Sequence, residues 1–273
     1  MRILFIGDIF GKPGREIARR AVPALVEHRD IDFVIANVEN SAAGFGVTGD
    51  IADTILSYGV DVMTSGNHVW DKKEVLDYIP RQAKLLRPAN FPAGVPGRGS
   101  YVGRTRTGEP VGVINLMGRI FMAPLDDPFA AALREIEAIR AKARIIVVDF
   151  HAEATSEKIA MAWHLDGRVS AVFGTHTHVQ TADERVLPKG TACLTDVGMT
   201  GPHDSIIGVT VEAALARFLN GMPSRFESAT GPGRLNAVIV TADPGSGKAT
   251  AIERLNLSAQ EVEALASTPA PAR

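Results

Sequence analysis

Short runs of β-branched residues alternate with helical patterns through the N-terminal part of the chain. The strand-like runs are ILFIG at 3–7, FVIANV at 33–38 and VDVMTSG at 60–66. The helical patterns that follow them cover 13–28, 48–59 and 72–79. Thr48 suits the N-cap of the second helix, because threonine hydroxyls accept hydrogen bonds from free backbone N–H groups there. This alternation predicts a parallel sheet covered by helices.

The pattern changes in the second half. Residues 87–110 are rich in proline and glycine and predict a long loop that enters a strand through a hairpin. Further strands are predicted at 111–118, 144–150, 169–174, 184–187, 191–196, 235–243 and 248–257, with helices at 128–142 and 156–165. The turn DPGSG at 243–247 joins the last two strands, so the final third is predicted to be antiparallel. We expect one domain over 1–257 and a partly disordered C-terminal helix or tail over 258–273.

Composition excludes several classes of protein. The chain has 273 residues, is 45% hydrophobic and carries a net charge of −2, which argues against a long nucleic-acid partner. No run reaches the ~18 apolar residues that a membrane span requires. The single cysteine, Cys193, cannot form an internal disulfide, so a reducing compartment, the cytoplasm, is expected. The hydrophobic loop residues Phe121 and Met122 indicate a homo-oligomer.

Polar side chains follow five of the predicted strands, at the point where each strand ends. In chain order these residues are Asp8, Glu39, Asn40, Asn67, His68, His151, His176 and His178. Ligands of open α/β sheets bind where strands end. Alone, the THTH segment at 175–178 could be an ordinary polar turn, but five successive strand ends with such residues indicate a common site.

The residue types of this set point to a metal centre. Oxygen and imidazole ligands without thiolates suit manganese, iron or zinc. Seven ligands, the set without His68, exceed the need of one ion and predict two divalent or trivalent ions, iron or manganese by preference and zinc as the alternative. Two neighbouring metal ions commonly stabilise in-line displacement at phosphorus.

Two other kinds of site, a nucleotide-binding P-loop and a Ser-His-Asp triad, are not supported by the sequence. GDIFGKPG at 7–14 contains Gly-Lys, but a P-loop needs a glycine where the chain has Ile6. GSGK at 245–248 fails in the same way, because Ala242 stands at the required position. The chain contains no G-x-S-x-G nucleophile elbow, so a Ser-His-Asp hydrolase is not supported.

The order of the motifs GDIF, GNHVWD, FHAE and GTHTH resembles the calcineurin-like metallophosphoesterase superfamily. Two positions depart from the superfamily pattern. Phe10 stands where the first motif normally has histidine, and NVEN replaces GDxxD, so that Glu39 replaces a bridging aspartate beside Asn40. With TDVGMTGP at 195–202 and LLRPANFP at 85–92, this variant resembles the bacterial YmdB-like family.

The resemblance implies a fold and an activity. The fold is an α/β, four-layer αββα sandwich of two mixed sheets flanked by helices. The activity is that of a phosphodiesterase acting on small phosphodiesters, in the first place cyclic nucleotides of the 2′,3′-cAMP type. A metal-bridging hydroxide would attack phosphorus in line.

Within this hypothesis each residue has a role. The first metal would be held by Asp8, Glu39, Asn40 and His178, and the second by Glu39, Asn67, His151 and His176, with Glu39 bridging. His68 would protonate the leaving ribose oxygen. Asp71 would orient His68, or it would be the N-cap of the following helix. The charge left on such a centre suits a phosphodiester monoanion, unless Lys12, Arg87 or Arg119 folds inward to favour a dianion.

Alternatives stay open from the sequence alone. His68 could merely lie behind the ligands, Asn40 could bind the loop backbone, and His151 could be a satisfied core histidine. At the level of function, a phosphomonoesterase or nuclease on the same centre is one alternative. A metal-binding regulatory protein with slow turnover is another.

Overall fold

Alternating strands and helices build the N-terminal half in the computed structural model, which describes residues 1–223 and 226–269. The strands of the described residues are β1 (Arg2–Ile6), β2 (Asp8–Ile9), β3 (Phe33–Asn37), β4 (Val62–Thr64), β5 (Ser100–Arg104), β6 (Pro110–Met117), β7 (Ile145–His151), β8 (Ala171–Thr175), β9 (Arg185–Val186), β10 (Ala192–Leu194), β11 (Met199–Pro202), β12 (Gly233–Ala242) and β13 (Ala249–Ser258). The helices are α1 (Gly11–His28), α2 (Gly49–Ser57), α3 (Val75–Tyr78), α4 (Pro128–Arg140), α5 (Thr155–His164), α6 (Val211–Asn220) and α7 (Ala259–Ser267).

The strands form two mixed sheets. The first has the order β2-β11-β12-β1-β3-β4, with β13 paired to β12. In it β1, β3 and β4 are parallel, while β12 is antiparallel to β1 and β13. The second has the order β5-β6-β7-β8-β10-β9, with antiparallel strands only at its two edges. The parallel strands bring the carboxyl ends of β1, β3 and β4 to one edge of the first sheet.

Both faces of the central strands are buried, as a four-layer fold requires. On β1, Ile3 and Phe5 belong to the core between the sheets, and the Phe5 ring lies 5.4 Å from that of Phe173 in the second sheet. Leu4 and Ile6 alternate with them and pack with α1. These alternating contacts explain why the strand is apolar throughout.

Helices cover the outer face of each sheet. Helices α1, α2 and α7 pack on the first sheet. Ile136 of α4 and Met161 of α5 pack with Ile146 and Val148 on the second. The layers run helix, sheet, sheet, helix, so the αββα fold predicted from the sequence is confirmed.

Local signals in the sequence are also confirmed. The Thr48 hydroxyl accepts a hydrogen bond from the backbone N–H of Ile51 at 3.3 Å and caps α2. In the final hairpin the Asp243 carboxylate accepts from the N–H groups of Gly245 and Ser246. The antiparallel pairing of β12 with β13 follows from this turn.

The C-terminal segment contains an ordered helix. Ser258 and Glu261 form a reciprocal capping box at the start of α7. Val262 is buried in the core that α7 shares with α1. The predicted disorder of this segment falls partly on 270–273, which lie outside the described residues.

Three elements are absent from the sequence-based predictions. They are the short strands β2 and β11, which pair with each other in parallel, and helix α6. Strands of two to four residues are formed by their tertiary partners rather than by local propensity, so a local pattern does not indicate them. Among the helices of the described ranges, none is long and apolar enough to cross a membrane.

Candidate metal centre

The residues at the predicted strand ends come from both sheets. Asp8, Glu39 with Asn40, and Asn67 follow β1, β3 and β4 of the first sheet. His151 ends β7, and His176 and His178 follow β8 in the second sheet. The site therefore lies where the carboxyl ends of strands from the two sheets meet.

One half of the site is built around the imidazole of His151. Its Nε2 lies 3.0 Å from Glu39 Oε1, 2.9 Å from Asn67 Oδ1 and 3.1 Å from His176 Nδ1. Glu39 and His151 are fully buried. The structure thus brings together the four residues that the sequence assigns to the second metal.

The other half is built around Asn40. Its Nδ2 lies 3.0 Å from His178 Nε2 and 3.4 Å from Glu39 Oε1. Asp8, which the sequence assigns to the first metal, contacts the His151 half: its Oδ2 accepts from the backbone N–H of His176 at 3.2 Å, and its Oδ1 lies 3.9 Å from His151 Nδ1. The Asn40 side chain contacts His178 and Glu39 rather than the loop backbone.

Outer contacts fix the orientation of all three imidazoles. His151 Nδ1 donates to Thr175 Oγ1 at 2.9 Å, since that hydroxyl donates in turn to Asp149. His178 Nδ1 donates to the carbonyl oxygen of Ile207 at 2.8 Å. His176 Nε2 lies 3.1 Å from Glu153 Oε2. In each ring the remaining nitrogen faces the inside of the site, as metal-ligating histidines require.

The inner donor atoms fit a bound cation. Glu39 Oε1, Asn67 Oδ1 and His176 Nδ1 are all acceptors that converge on one nitrogen of His151, and a single N–H cannot satisfy three acceptors. Asp8 Oδ1 is buried without a hydrogen-bond partner. Within the described residues, Glu39, His151 and His176 each offer a donor atom within 4.8 Å of the others.

The electrostatics of the site also favour a bound cation. Burial raises the pKa of Asp8 well above its usual range, and the carboxylates of Asp196 and Glu39 raise it further. Burial opposes ionisation of His151, yet the charge and hydrogen bond of Glu39 raise its pKa to about 9. Burial and the charge of His151 lower the pKa of His176 to about 3. These shifts arise because buried carboxylates face the His151 imidazole, an arrangement that a bound cation would balance.

The histidine-bearing loop is held in an unusual backbone conformation. His176 and His178 have φ values of 104° and 66°, which non-glycine residues adopt at a cost of roughly 1–3 kcal/mol each. Asp196 fixes the loop, because its Oδ2 accepts from the backbone N–H of Thr177 at 3.1 Å and from the Thr177 hydroxyl at 2.7 Å. Lys158 donates to the same carboxylate at 2.7 Å, and this ion pair is buried.

Two motif glycines are required by close backbone approaches. A Cβ atom on Gly7 would lie 2.0 Å from the carbonyl oxygen of Gly198. A Cβ atom on Gly174 would lie 1.9 Å from the carbonyl oxygen of Thr195. The segment 195–198 therefore packs directly against the strand ends that precede Asp8 and His176.

His68 lies beside the donor cluster rather than within it. Its backbone N–H donates to Glu39 Oε2 at 3.0 Å, and its Nδ1 lies 2.7 Å from Asp71 Oδ2. Glu74 occupies the N-cap position of α3, the helix that follows, so the alternative role of Asp71 as its N-cap is wrong. Nδ1 of His68 is thus engaged by Asp71, whereas its Nε2 has no hydrogen-bond partner among the described residues.

Several residues of the site were missed by sequence reasoning. Asp149 is buried, and it accepts hydrogen bonds from Thr64, Thr175 and Asn37. Burial raises the pKa of Asp149 to about 6. A charged residue inside the apolar run IIVVDF was the available signal. Glu153 gave no comparable signal, because it lies in a polar loop.

The fold and the donor set define a class of protein. An αββα sandwich with carboxylate, amide and imidazole donors at its strand ends is the arrangement of the metallophosphoesterase-type phosphatases. The chain belongs to the YmdB-like protein family, whose model matches residues 4–255.

Relatives are similar over nearly the whole chain. A protein of Bacillus subtilis (strain 168) named 2′,3′-cyclic-nucleotide 2′-phosphodiesterase is 51% identical, with 93% of this chain and 96% of that protein covered. The crystal structure of a hypothetical protein from Thermus thermophilus superposes with a TM-score of 0.88 at 45% identity, covering 94% of this chain and 99% of that one. A novel phosphatase of Mycoplasma pneumoniae gives a TM-score of 0.88 at 34% identity, with coverages of 94% and 93%.

Proposed function

We propose that this protein is a dinuclear metal-dependent phosphodiesterase that hydrolyses small phosphodiesters, in particular nucleoside 2′,3′-cyclic phosphates. The observation that carries the proposal is the convergence of Glu39, Asn67, His151 and His176 within hydrogen-bonding distance around one point. The name of the Bacillus subtilis relative supports the cyclic nucleotide as substrate class.

Apart from Asp8, whose contacts are with His151 and His176, the ligand assignment follows the two halves of the site. Asp8, Glu39, Asn40 and His178 would hold the first ion, and Glu39, Asn67, His151 and His176 the second. Glu39 Oε1 contacts Asn40 on one side and His151 on the other, which is the position that a bridging carboxylate needs. Iron or manganese is proposed before zinc, because the set combines imidazoles with hard oxygen donors. When bound, the two ions would supply the nucleophile and offset the charge that develops on phosphorus.

His68 is proposed as the general acid. Its Nδ1–H donates to Asp71 Oδ2, so the imidazolium form would deliver its Nε2 proton to the leaving oxygen and leave Nδ1 bound to Asp71. General acid catalysis of this kind is worth ~10²–10⁴-fold in rate. The backbone N–H of His68 donates to Glu39, so the acid is held at a fixed position relative to the ligands.

The charge of the cavity beside these residues favours a diester over a monoester. Among its described lining residues there is no lysine or arginine. The three cations that could have turned inward are engaged elsewhere: Lys12 with Glu16, Arg119 with Asp127, and Arg87 with the carbonyl oxygens of 88, 95 and 96. A monoester dianion in this cavity would therefore lack the cationic side chains that its second negative charge needs.

Two wider proposals rest on other observations. The first is a cytoplasmic location, because Cys193 is buried and unpaired, as a cysteine in a reducing compartment is expected to be. A homo-oligomer stays a prediction; Phe121, which suggested it, is 89% exposed.

The test compares two substrates and three variants. With Mn²⁺, the purified protein should hydrolyse bis(p-nitrophenyl) phosphate faster than p-nitrophenyl phosphate. Asn67→Ala and His68→Ala should both abolish this activity, but only Asn67→Ala should reduce the metal content. His164→Ala, the same substitution at the exposed end of α5, is the matched control and should change neither quantity.

The outcomes separate the alternatives. Equal or faster turnover of the monoester would replace the proposal with a phosphomonoesterase. A full metal complement without turnover of either ester would instead indicate a regulatory metal-binding protein.

A further inference from the structure

A cavity of about 350 Å³ opens beside the candidate metal ligands. This size lies within the ~300–1,000 Å³ of small-molecule pockets. Part of its lining is polar and consists of Glu39, Asn40, His68, His176 and His178, with Glu153 and Thr177 beside them. The rest of the lining is largely hydrophobic and includes phenylalanines from different segments. The cavity therefore suits a ligand with an anionic end and a flat apolar body.

The aromatic part of the lining begins at the proposed general acid. The Phe45 ring packs edge-on against the His68 imidazole, with centroids 5.0 Å apart. The Phe226 ring lies 6.2 Å from that of Phe45 and is inclined to it by only 26°. Two nearly parallel rings thus line the cavity beside His68.

Contacts outside the cavity hold the second ring in place. The guanidinium carbon of Arg217 lies 4.9 Å from the centroid of the Phe226 ring. A cation over an aromatic face gives an attraction that holds such a ring at a defined position. Phe45 and Phe226 are only partly buried, so part of their apolar surface stays accessible in the cavity.

We propose that Phe45 and Phe226 form the nucleobase subsite of this enzyme, an inference that rests on the proposed phosphodiesterase function. His68 would protonate a ribose oxygen, and the base is attached to that same ribose. The base must therefore lie near the His68 imidazole, which is where Phe45 stands. The phosphate end would meet the polar part of the lining.

The chemistry of the subsite also sets its selectivity. Every nucleobase presents a π-face, so stacking on aromatic side chains is tolerant of sequence. The aliphatic side chains of the lining, those of Ile206, Ile207 and Val209, cannot read the hydrogen-bonding edge of a base. The enzyme is accordingly a general nucleoside cyclic phosphodiesterase that favours the larger purines over the pyrimidines.

The test compares a substrate with a base and one without. The unaltered protein, Phe226→Ala and Phe226→Tyr are assayed with Mn²⁺ on adenosine 2′,3′-cyclic phosphate and on 1-O-methylribose 2′,3′-cyclic phosphate. Phe226→Ala should raise KM for the adenosine substrate by about 5- to 150-fold, with kcat changed less than about threefold. Phe226→Ala should leave KM and kcat for the base-free substrate unchanged. Phe226→Tyr should have the same kinetic constants as the unaltered protein.

Two further variants keep the result interpretable. Phe45→Leu preserves apolar volume but removes the flat ring, and it should give the same selective rise in KM even if Phe226→Ala does not fold. Phe121→Ala removes a phenylalanine that lies outside the cavity lining and should have no effect.

Four results would overturn the inference. It fails if Phe226→Ala and Phe45→Leu affect both substrates equally, or affect neither. It also fails if cytidine 2′,3′-cyclic phosphate has a lower KM than the adenosine substrate. If the unaltered protein hydrolyses no phosphodiester at all, the proposed function fails first, and the base subsite fails with it.

Discussion

The glycine of the GNH motif gives a sharp test of how the ligands are held. A Cβ atom on Gly66 would lie 2.1 Å from His151 Cδ2 and 2.3 Å from His151 Nε2. Non-bonded carbon atoms prefer separations of about 3.5–4.0 Å, so Gly66→Ala demands a shift of more than ~1 Å. Gly66 does not have a positive φ, so space rather than backbone conformation is the constraint.

The structure indicates which group must move. The backbone before Gly66 is fixed, because Ser65 donates to and accepts from the side chain of Asn115 at 3.0 and 2.9 Å. His151 is fully buried, and its Nδ1 is bonded to Thr175. The methyl group therefore displaces the His151 ring from Glu39 and Asn67. A misplacement of about 1 Å in a catalytic constellation costs roughly 10²-fold, and overpacking costs ~1–3 kcal/mol of stability.

Gly66→Ala should therefore unfold at lower urea concentration, bind less metal and lose at least ~10²-fold in phosphodiesterase activity. The measurements are urea denaturation, elemental analysis of the purified protein and hydrolysis of bis(p-nitrophenyl) phosphate. Gly245→Ala is the matched control, because its Cβ would meet no atom closer than 3.6 Å. If Gly66→Ala keeps its metal and activity within a factor of two, the geometry described for His151 is wrong.

Two further predictions concern stability. Lys158→Met leaves the buried Asp196 carboxylate without its ion pair and should cost ~3–5 kcal/mol in urea denaturation, whereas Lys12→Met at an exposed pair should cost under ~1 kcal/mol. Equal costs for the two variants would contradict this assignment. Partial burial opposes ionisation of Asp183, but hydrogen bonds from Thr181 and Thr195 lower its pKa. Its stabilisation is therefore present above the unfolded pKa of about 3.9 and is lost as the pH falls through the lower folded pKa. Asp183→Asn should destabilise the protein more at pH 7 than at pH 3, which lies below the unfolded pKa. An equal effect at both pH values would contradict this linkage.

Local periodicity was enough to predict most elements, whereas the four-layer architecture followed from the resemblance of the motifs to the metallophosphoesterases. Strands such as β1 and β7 are largely apolar runs, which a local pattern reveals. Helices such as α2 begin at cap residues, and hairpins form at turn residues, and both signals act over a few residues. Strands β2 and β11 could not be predicted, because they pair with each other across most of the chain, Asp8 with Met199. Their lengths leave no room for a periodic pattern.

The candidate site divides in the same way. Its inner residues follow strand ends, and that position is visible in the sequence. The outer contacts are not visible in the sequence. Thr175 links His151 to Asp149, and Glu153 contacts His176. Such roles depend on which side chains meet after folding. The aromatic walls of the cavity, Phe45 and Phe226, come from distant parts of the chain, which no local motif connects.

The central claim is that the strand ends hold two metal ions. Anomalous diffraction from crystals of the purified protein, combined with elemental analysis, measures this directly. We expect two ions per chain, about 3.5–4 Å apart, with Glu39 contacting both, Asp8, Asn40 and His178 on one side, and Asn67, His151 and His176 on the other. A single ion, or ions bound away from Glu39, would contradict the account.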